Sequence, residues 1–190
     1  MAEHAYASFD PSELAGRDLH GKLLGGIAPR PIAFASTVDE EGRDNLAPFS
    51  YFNVFSAKPP VVIFSPARRM KNNTTKHTLE NVLAVPEVVI NLVDYNMVHA
   101  CSLASADFDR GVSEFEKAGL TALPSDTVKP KRVAESPVAL ECKVLRVDSL
   151  GEEGGAGQLV VCEIQRIHFR SDVLNEAGQP VPDLLDLVGR

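Results

Sequence analysis

Residues 29–53 have the sequence PRPIAFASTVDEEGRDNLAPFSYFN, which contains strong β signals on both sides of a turn. The apolar run Pro31 to Val38 predicts a strand, and Asp39-Glu40-Glu41-Gly42 is typical of a turn that follows it. Asn45 to Phe55 mixes aromatic and polar side chains with no single period, a composition that often faces a ligand. The apolar run Val61 to Phe64 predicts the next strand. A hairpin followed by a third strand is the simplest interpretation.

The second half of the chain carries another β pattern. Val138, Leu140, Cys142 and Val144 alternate with polar residues, and Leu159 to Phe169 is a second β run. The glycine-rich segment 151–157 separates the two runs, so we expect one long antiparallel hairpin.

Helical signals are short. Thr74 or Thr75 can cap a helix that runs to about Ala84 and ends before Pro86. A second helix is expected from about Asn96 to Ala104. Ser113 to Ala118 is expected to add one turn before Gly119.

The combined pattern predicts a mainly β fold, a β-barrel with helical insertions, in one domain over residues 1–190. Glycine-rich phosphate-binding motifs of the form GxGxxG after a strand, or GxxxxGK[ST], do not occur. Any phosphate must therefore be bound in another way.

Composition narrows the choice of partners. The net charge of −7 and pI near 5.2 disfavour nucleic acid and anionic membrane surfaces. No apolar stretch is long enough to span a bilayer, and the first 25 residues lack the apolar core of a secretory signal, so a cytoplasmic location is expected. Cys101, Cys142 and Cys162 lack metal-ligand spacing, and no metal site is expected.

The segment from Ser65 to Thr78 collects cations, hydroxyls and amides just before the predicted helix. The free N–H groups and partial positive charge of a helix start favour a phosphate dianion. The alternative interpretation is a solvated basic surface loop with threonine caps.

Four motifs occur in a family-like order: Pro29 to Ala33, Asn45 to Asn53, Lys58-Pro59-Pro60, and Lys76-His77-Thr78 followed by Asn81. With these motifs the chain resembles the flavin reductase-like, FMN-binding split-barrel family, including the flavoredoxin group. The resemblance covers about residues 23–172 and leaves a C-terminal extension from about residue 172.

The resemblance implies a six-stranded split barrel that forms a homodimer, with FMN at or near the subunit interface. Lys76 and Thr78 are the foremost phosphate ligands that it implies. The other implied cofactor-binding residues of the phosphate loop are Ser65, Arg68, Arg69 and Asn72. Those along the ring and ribityl chain are Ser36, Asn45, Ala47, Pro48 and Ser50.

The expected chemistry is electron transfer, in which NADH or NADPH reduces the flavin and electrons then pass to an acceptor, including a possible acceptor protein. Two rivals share the same phosphate site: an electron carrier reduced by a protein partner, and an FMN storage or sensing module. No catalytic side chain is predicted, because the sequence shows no recognisable nucleophile and base.

Several residues carry weaker expectations. Tyr51, Phe52 and Phe55 could cover a planar ring, although core packing is the simpler interpretation. His77 stands where the family commonly has an acidic residue, and its charge near pH 7 is left open. We expect His99 to be partly buried, His168 to be an ordinary strand residue, and Asp107 to Arg110 to form a turn with local charge pairing.

Overall fold

The computed structural model describes residues 4–190, and β-strands make up most of its regular structure. The strands are β1 (Ala33–Val38), β2 (Asp44–Phe49), β3 (Phe52–Ala57), β4 (Pro60–Phe64), β5 (Glu87–Asn91), β6 (Ala122–Leu123), β7 (Arg132–Val133), β8 (Val138–Ser149) and β9 (Gln158–Phe169). The helices are α1 (Gly16–Gly26), α2 (His77–Ala84), α3 (Val98–Leu103), α4 (Glu114–Ala118) and α5 (Pro182–Leu185). Short 3-10 turns occupy Pro11–Glu13, Tyr95–Met97 and Ser171–Val173.

Seven strands form one antiparallel sheet in the order β2-β1-β5-β8-β9-β4-β3, while β6 and β7 form a separate pair. The strands at the two ends of this order, β2 and β3, are consecutive in the chain and joined only by Ser50 and Tyr51. Since so short a link cannot cross a flat sheet, the sheet curls on itself into a barrel. The family resemblance implied a barrel of six strands. The main sheet has seven because segment 44–57 bends at Ser50 and Tyr51 and forms two strands, β2 and β3.

Side chains from around the sheet fill the barrel. Ala33 and Ala35 of β1 pack in one buried cluster with residues of β4, β5, β8 and β9 and with Leu79 and Val82 of α2. Phe34, between the two alanines, packs in a second cluster that includes residues of α3 and α4. This alternation follows from the two-residue period of a strand. The second cluster holds α3 and α4 against the outside of the barrel.

The long hairpin of β8 and β9 forms as predicted: the alternating residues from Val138 to Val144 lie in β8, and the β run from Leu159 to Phe169 lies in β9. The helix predicted to end before Pro86 ends at Ala84, but it begins at His77, and neither Thr74 nor Thr75 caps it. The helix predicted from Asn96 is divided into a 3-10 turn and α3. Helix α1 was not predicted, and none of its residues is buried in the structure.

The C-terminal residues run back along the barrel. The main-chain N–H and carbonyl groups of Arg30 and Arg190 bond each other at 2.9 Å, and Gly189 pairs with Pro31. A Cβ atom at position 189 would lie 2.8 Å from Cβ of Pro29, so this close approach requires glycine. Among the residues that the structure describes, no helix is long and apolar enough to cross a membrane.

Candidate functional site

A cavity of about 370 Å³ opens where β2, α1 and the start of α2 meet the loop between α3 and α4. Its position beside the bend between β2 and β3 follows from the closure of the barrel. Most of its lining residues are polar or charged. The lining residues are His20, Leu24, Asn45, Ala47, Pro48, Phe49, Ser50, Tyr51, Ser65, Ala67, Arg69, Lys76, His77, Thr78, Ala104, Ser105, Ala106, Asp107, Phe108, Glu114 and Arg190.

The N-terminus of α2 lies at this cavity without a side-chain cap. Lys76 is the N-cap residue, and its side chain forms no capping hydrogen bond. The N–H groups of Leu79 and Glu80 bond the carbonyl of Lys76, whereas no acceptor within residues 4–190 takes the N–H of His77 or Thr78. A helix start with two free N–H groups is a suitable place for an anion.

Two cations lie beside this helix start. Nζ of Lys76 lies 3.4 Å and Nε of Arg69 lies 3.3 Å from the same oxygen, Oδ1 of Asp107. Arg69 also donates to the carbonyl of Thr75, which fixes the guanidinium against the loop. Burial raises the pKa of Asp107, but Lys76 and Arg69 outweigh it and hold that pKa below its usual range. Because Asp107 is 70% exposed, an anion can compete with it for both cations.

Ser65 adds a hydroxyl to the same wall. The main-chain N–H of Gln158 donates to Oγ of Ser65 at 2.9 Å. A hydroxyl that accepts one bond still has its own hydrogen to donate. Ser65 can therefore donate to an anion in the cavity.

The free side of β2 forms another wall. Leu46 directs its N–H away from β1 to Oε2 of Glu114, at 2.9 Å. Since alternate residues of a strand direct their main-chain groups to the same side, the carbonyl of Pro48 also points away from β1, and proline has no N–H. This side of β2 can accept a hydrogen bond from a planar ligand that carries an N–H group.

Glu114 and His77, like Asp107, are cavity-lining groups with shifted pKa values. Burial raises the pKa of Glu114, although hydrogen bonds from the main-chain N–H of Leu46 and of Glu114 itself act in the opposite direction. Burial, assisted by the charge of Arg110, lowers the pKa of His77. Both effects favour the neutral form of the His77 ring.

Eight of the eleven residues predicted to bind the cofactor line this cavity: Asn45, Ala47, Pro48, Ser50, Ser65, Arg69, Lys76 and Thr78. Arg68 and Asn72 lie in an adjoining cleft and stabilise their own loop. Arg68 donates to Oδ1 of Asn73 at 2.7 Å, and Oδ1 of Asn72 accepts from the Thr74 hydroxyl at 2.9 Å. Ser36 lies outside the cavity, fully buried in β1 on the same strand face as Phe34.

The aromatic residues expected near a ring are separated. Tyr51 lines the cavity, Phe52 packs against the barrel core and Phe55 is 63% exposed. Phe49 lines the cavity instead and packs against Phe64, with ring centroids 5.6 Å apart. The bend at Ser50 and Tyr51 decides which of these aromatic side chains line the cavity, and the sequence does not reveal that bend.

Sequence reasoning also missed cavity residues on other elements. His20 and Leu24 belong to α1, which was not predicted. Asp107 and Arg110 were expected to pair locally, but Asp107 contacts Lys76 and Arg69, and Arg110 contacts Glu80. Glu114 lies within the part of the chain that resembles the flavin reductase-like family. No other feature of the sequence indicated that Glu114 would lie at the cavity.

Two further histidines lie away from this cavity. His99 is exposed on α3, so the expectation of partial burial was wrong. Nε2 of His168 lies 2.7 Å from Oε1 of Glu141, as suits a strand histidine with a structural partner. Asp126, Glu141 and His168 place three potential metal-ligand atoms within 4.8 Å of one another. However, Arg166 pairs with Asp126 at 2.7 Å and Glu141 accepts several hydrogen bonds, so their oxygens already have partners.

The residues present at the cavity match a terminal phosphate joined to a planar ring. The uncapped start of α2, Lys76, Arg69 and the Ser65 hydroxyl supply donors and positive charge at one end. The main chain of β2 with Phe49 and Tyr51 supplies flat and apolar surface beside it. FMN has both features.

Comparisons with known proteins agree with this description. A family model described as a flavin reductase like domain matches residues 25–187. The chain is 35% identical over 171 residues to an uncharacterised protein of Halalkalibacterium halodurans, covering 89% of this chain and 81% of the relative. It is also similar to the crystal structure of nitrilotriacetate monooxygenase component B from Bacillus cereus, with a TM-score of 0.92, 31% identity, and coverage of 99% of this chain and 93% of that chain.

A more distant structure supports the fold alone. A flavin reductase with a split barrel domain from Shewanella frigidimarina matches with a TM-score of 0.75 and 23% identity, over 94% of this chain and 88% of that chain. The predicted mainly β split-barrel fold is confirmed.

Proposed function

The chain belongs to the flavin reductase like family, and from this premise we propose that it is a flavoprotein oxidoreductase that binds FMN noncovalently in the cavity at the start of α2. NADH or NADPH is the proposed electron donor, and the acceptor is a small molecule or an acceptor protein. The single observation that carries the proposal is the uncapped helix start beside Lys76 and Arg69. Component B of a monooxygenase, the name of the similar Bacillus cereus protein, fits a role in supplying electrons.

The phosphate would be held at the end of the cavity formed by α2. Lys76 and Arg69 would supply positive charge, and the N–H groups of His77 and Thr78 would donate along the helix axis. The hydroxyl groups of Ser65 and Thr78 would add directional donors. Since Asp107 is exposed, it can leave these cations when the phosphate binds.

The ring and ribityl chain would lie along β2. Ala47, Pro48 and Ser50 line this wall together with Phe49 and Tyr51, whereas Asn45 lies at the proposed phosphate end, with Nδ2 3.0 Å from Oγ1 of Thr78. His20 and Leu24 of α1 also line the cavity. When bound, the flavin supplies the hydride and electron transfer chemistry, and the protein supplies orientation, electrostatics and solvent exclusion.

We assign no acid or base to this chemistry. Besides Asp107, which pairs with Lys76 and Arg69, Glu114 and His77 are the cavity-lining groups with shifted pKa values, and both have structural roles. Glu114 accepts the N–H of Leu46, and His77 is the first residue of α2. Binding and orientation account for the arrangement without proton transfer by a side chain.

The proposed assembly is a homodimer located in the cytoplasm. Val54 and Phe55 of β3 are 64% and 63% exposed, next to the bend that borders the cavity. Neighbouring large apolar side chains on a strand are a surface that a second subunit can cover.

Anaerobic mixing of the FMN-loaded protein with NADH or NADPH tests the oxidoreductase proposal. We expect prompt bleaching of the flavin absorbance with at least one nucleotide. Oxidised flavin that persists with both nucleotides would contradict direct reduction. Rescue by a reduced protein partner would then indicate an electron carrier, and no reduction by either route would indicate a storage or sensing module.

A further inference from the structure

Four buried polar residues connect the barrel to the start of α2. Thr37 of β1 is fully buried, and Asn45 of β2 and Thr78 and Asn81 of α2 are at most 8% exposed. Nδ2 of Asn45 lies 3.0 Å from Oγ1 of Thr78 and 3.4 Å from Oγ1 of Thr37. Nδ2 of Asn81 lies 3.1 Å from the same Thr37 oxygen. We call Thr37, Asn45, Thr78 and Asn81 the polar tetrad.

Two members of the polar tetrad line the cavity and two do not. Asn45 and Thr78 belong to the cavity wall, whereas Thr37 and Asn81 lie behind them. Buried polar groups are expensive unless they are hydrogen-bonded, so a network of four that joins three elements needs a reason. Apolar side chains could have joined α2 to β1 and β2 at a lower desolvation cost.

The hydrogen-bond directions suggest that reason. Asn45 uses Nδ2 as the donor to both Thr37 and Thr78, so Thr37 fixes the plane and direction of the Asn45 amide. Because Thr78 accepts from Asn45, the hydrogen of its hydroxyl remains available for donation. At the same helix start, the N–H groups of His77 and Thr78 also have no acceptor among the described residues. The Thr78 hydroxyl and the N–H groups of His77 and Thr78 can therefore all donate a hydrogen bond.

We propose that Thr37 and Asn81 are positioning residues that act through Asn45 to keep the Thr78 hydroxyl as a donor, and that the polar tetrad thereby makes the site selective for phosphorylated flavin over riboflavin. This inference rests on the proposed function. It predicts that residues without any contact with the cavity affect the affinity for FMN but not the affinity for riboflavin.

The pair Thr37→Val and Thr37→Ser isolates the hydroxyl. Valine has nearly the shape of threonine but cannot accept from Asn45 or Asn81, whereas serine can. We expect Thr37→Val to weaken FMN binding by about fivefold or more, the scale of one lost hydrogen bond. Riboflavin binding should stay within about twofold of the parent, within the scatter of context effects. Thr37→Ser should restore FMN binding.

Combining the change with Thr78→Val distinguishes positioning from scaffolding. If Thr37 acts through the Thr78 hydroxyl, Thr37→Val should have little further effect on FMN in the Thr78→Val background. An equal loss of FMN affinity in both backgrounds, or an equal loss of riboflavin affinity, would overturn the inference. Asn81→Ala provides the same comparison should Thr37→Val fold poorly, with thermal unfolding as the check.

Fluorescence titration of FMN and riboflavin into each variant measures these affinities. A parent protein that binds neither flavin would refute the proposed function itself. A parent that prefers FMN while Thr37→Val and Asn81→Ala keep the same preference would refute only the role of the polar tetrad.

Discussion

Lys76 is the side chain on which the phosphate assignment depends most directly. It is the N-cap residue of α2, and its ammonium group lies at the cavity beside Arg69 and Asp107. Lys76→Met keeps an unbranched side chain but removes the charge. A hydrogen bond to a charged group contributes about 1.5 to 3 kcal/mol, so FMN affinity should fall by roughly ten- to a hundredfold.

Riboflavin and a second lysine serve as controls for this prediction. Riboflavin carries no phosphate and should bind Lys76→Met as it binds the parent. Lys71→Met removes an equal charge from an exposed position in the adjoining cleft and should have a much smaller effect on FMN. Equal effects of the two variants would mean that general charge, not a specific contact, attracts the phosphate.

Glu141 should make folding stability depend on acid. It accepts from the N–H of Asp126 at 2.8 Å and from the N–H of Thr127 at 2.6 Å, and it bonds His168. Although burial raises its pKa, these hydrogen bonds dominate and lower that pKa to about 2. The carboxylate therefore stabilises the folded state above the unfolded pKa, near 4.3, and this contribution disappears as the pH falls towards 2.

Urea unfolding across this pH range tests the expectation. Between about pH 5 and pH 2 the parent should lose on the order of 2 kcal/mol more unfolding free energy than Glu141→Gln, which has no charge to lose. Parallel curves for the parent and the variant would show that the pKa of Glu141 is the same in the folded and unfolded chains.

For single residues, the sequence could identify cavity residues that lie in one segment but not those that the fold brings in. Ser65, Lys76 and Thr78 occur close together before a helix, and the family resemblance predicted them as phosphate ligands. Asp107 and His20 reach the same cavity from distant elements and carry no local signal. Ser36 was predicted to bind the cofactor but is buried outside the cavity. Its position in a strand did not show which face of the sheet its side chain occupies.

Two glycines on different helices predict opposite effects of the same substitution. Gly21 is inside α1, and an added Cβ would meet no atom within 4 Å. Gly119 ends α4 with φ of 67°, in the left-handed region. Gly21→Ala should raise the free energy of unfolding by about 0.5 to 1 kcal/mol. Gly119→Ala should lower it by about 1 kcal/mol.

Thermal unfolding of both variants measures the two signs. The unchanged protein is the reference, and each variant changes the side chain by one methyl group. A loss of stability in Gly21→Ala would mean that α1 is not helical in solution. Unchanged stability in Gly119→Ala would mean that the left-handed conformation at the end of α4 does not require glycine.

At element scale, predictions succeeded where a pattern had one clear period. The alternation from Val138 to Val144 lies in β8, the β run from Leu159 to Phe169 lies in β9, and the hairpin that joins them was predicted. α1 has four glycines and no buried residue, so neither propensity nor periodicity could reveal it. The segment that forms β2 and β3 was recognised only as irregular. The bend between these strands joins the two edges of the sheet, so it depends on closure of the barrel and has no local signal in the sequence.

Exposed apolar residues on β3 lead to a prediction for the whole molecule. Light scattering should give the mass of two chains, because Val54 and Phe55 are exposed on β3 and a second subunit can cover them. Phe55→Glu should shift the protein towards the monomer, since a charge in a subunit interface is costly. Leu83→Glu, at an equally exposed position on α2, is the matched control and should leave the dimer intact. A parent that is monomeric at micromolar concentration would contradict the proposal.

Identification of the chromophore that the purified protein releases on denaturation decides whether the cavity at the start of α2 binds FMN. The proposed phosphate site at the start of α2, beside the wall formed by β2, predicts a yellow protein that releases FMN, identified by chromatography against FMN, FAD and riboflavin standards. Protein purified without flavin should take up FMN in preference to riboflavin. A colourless protein that does not take up added FMN would contradict the account, and FAD as the sole released flavin would show that the site extends beyond a terminal phosphate.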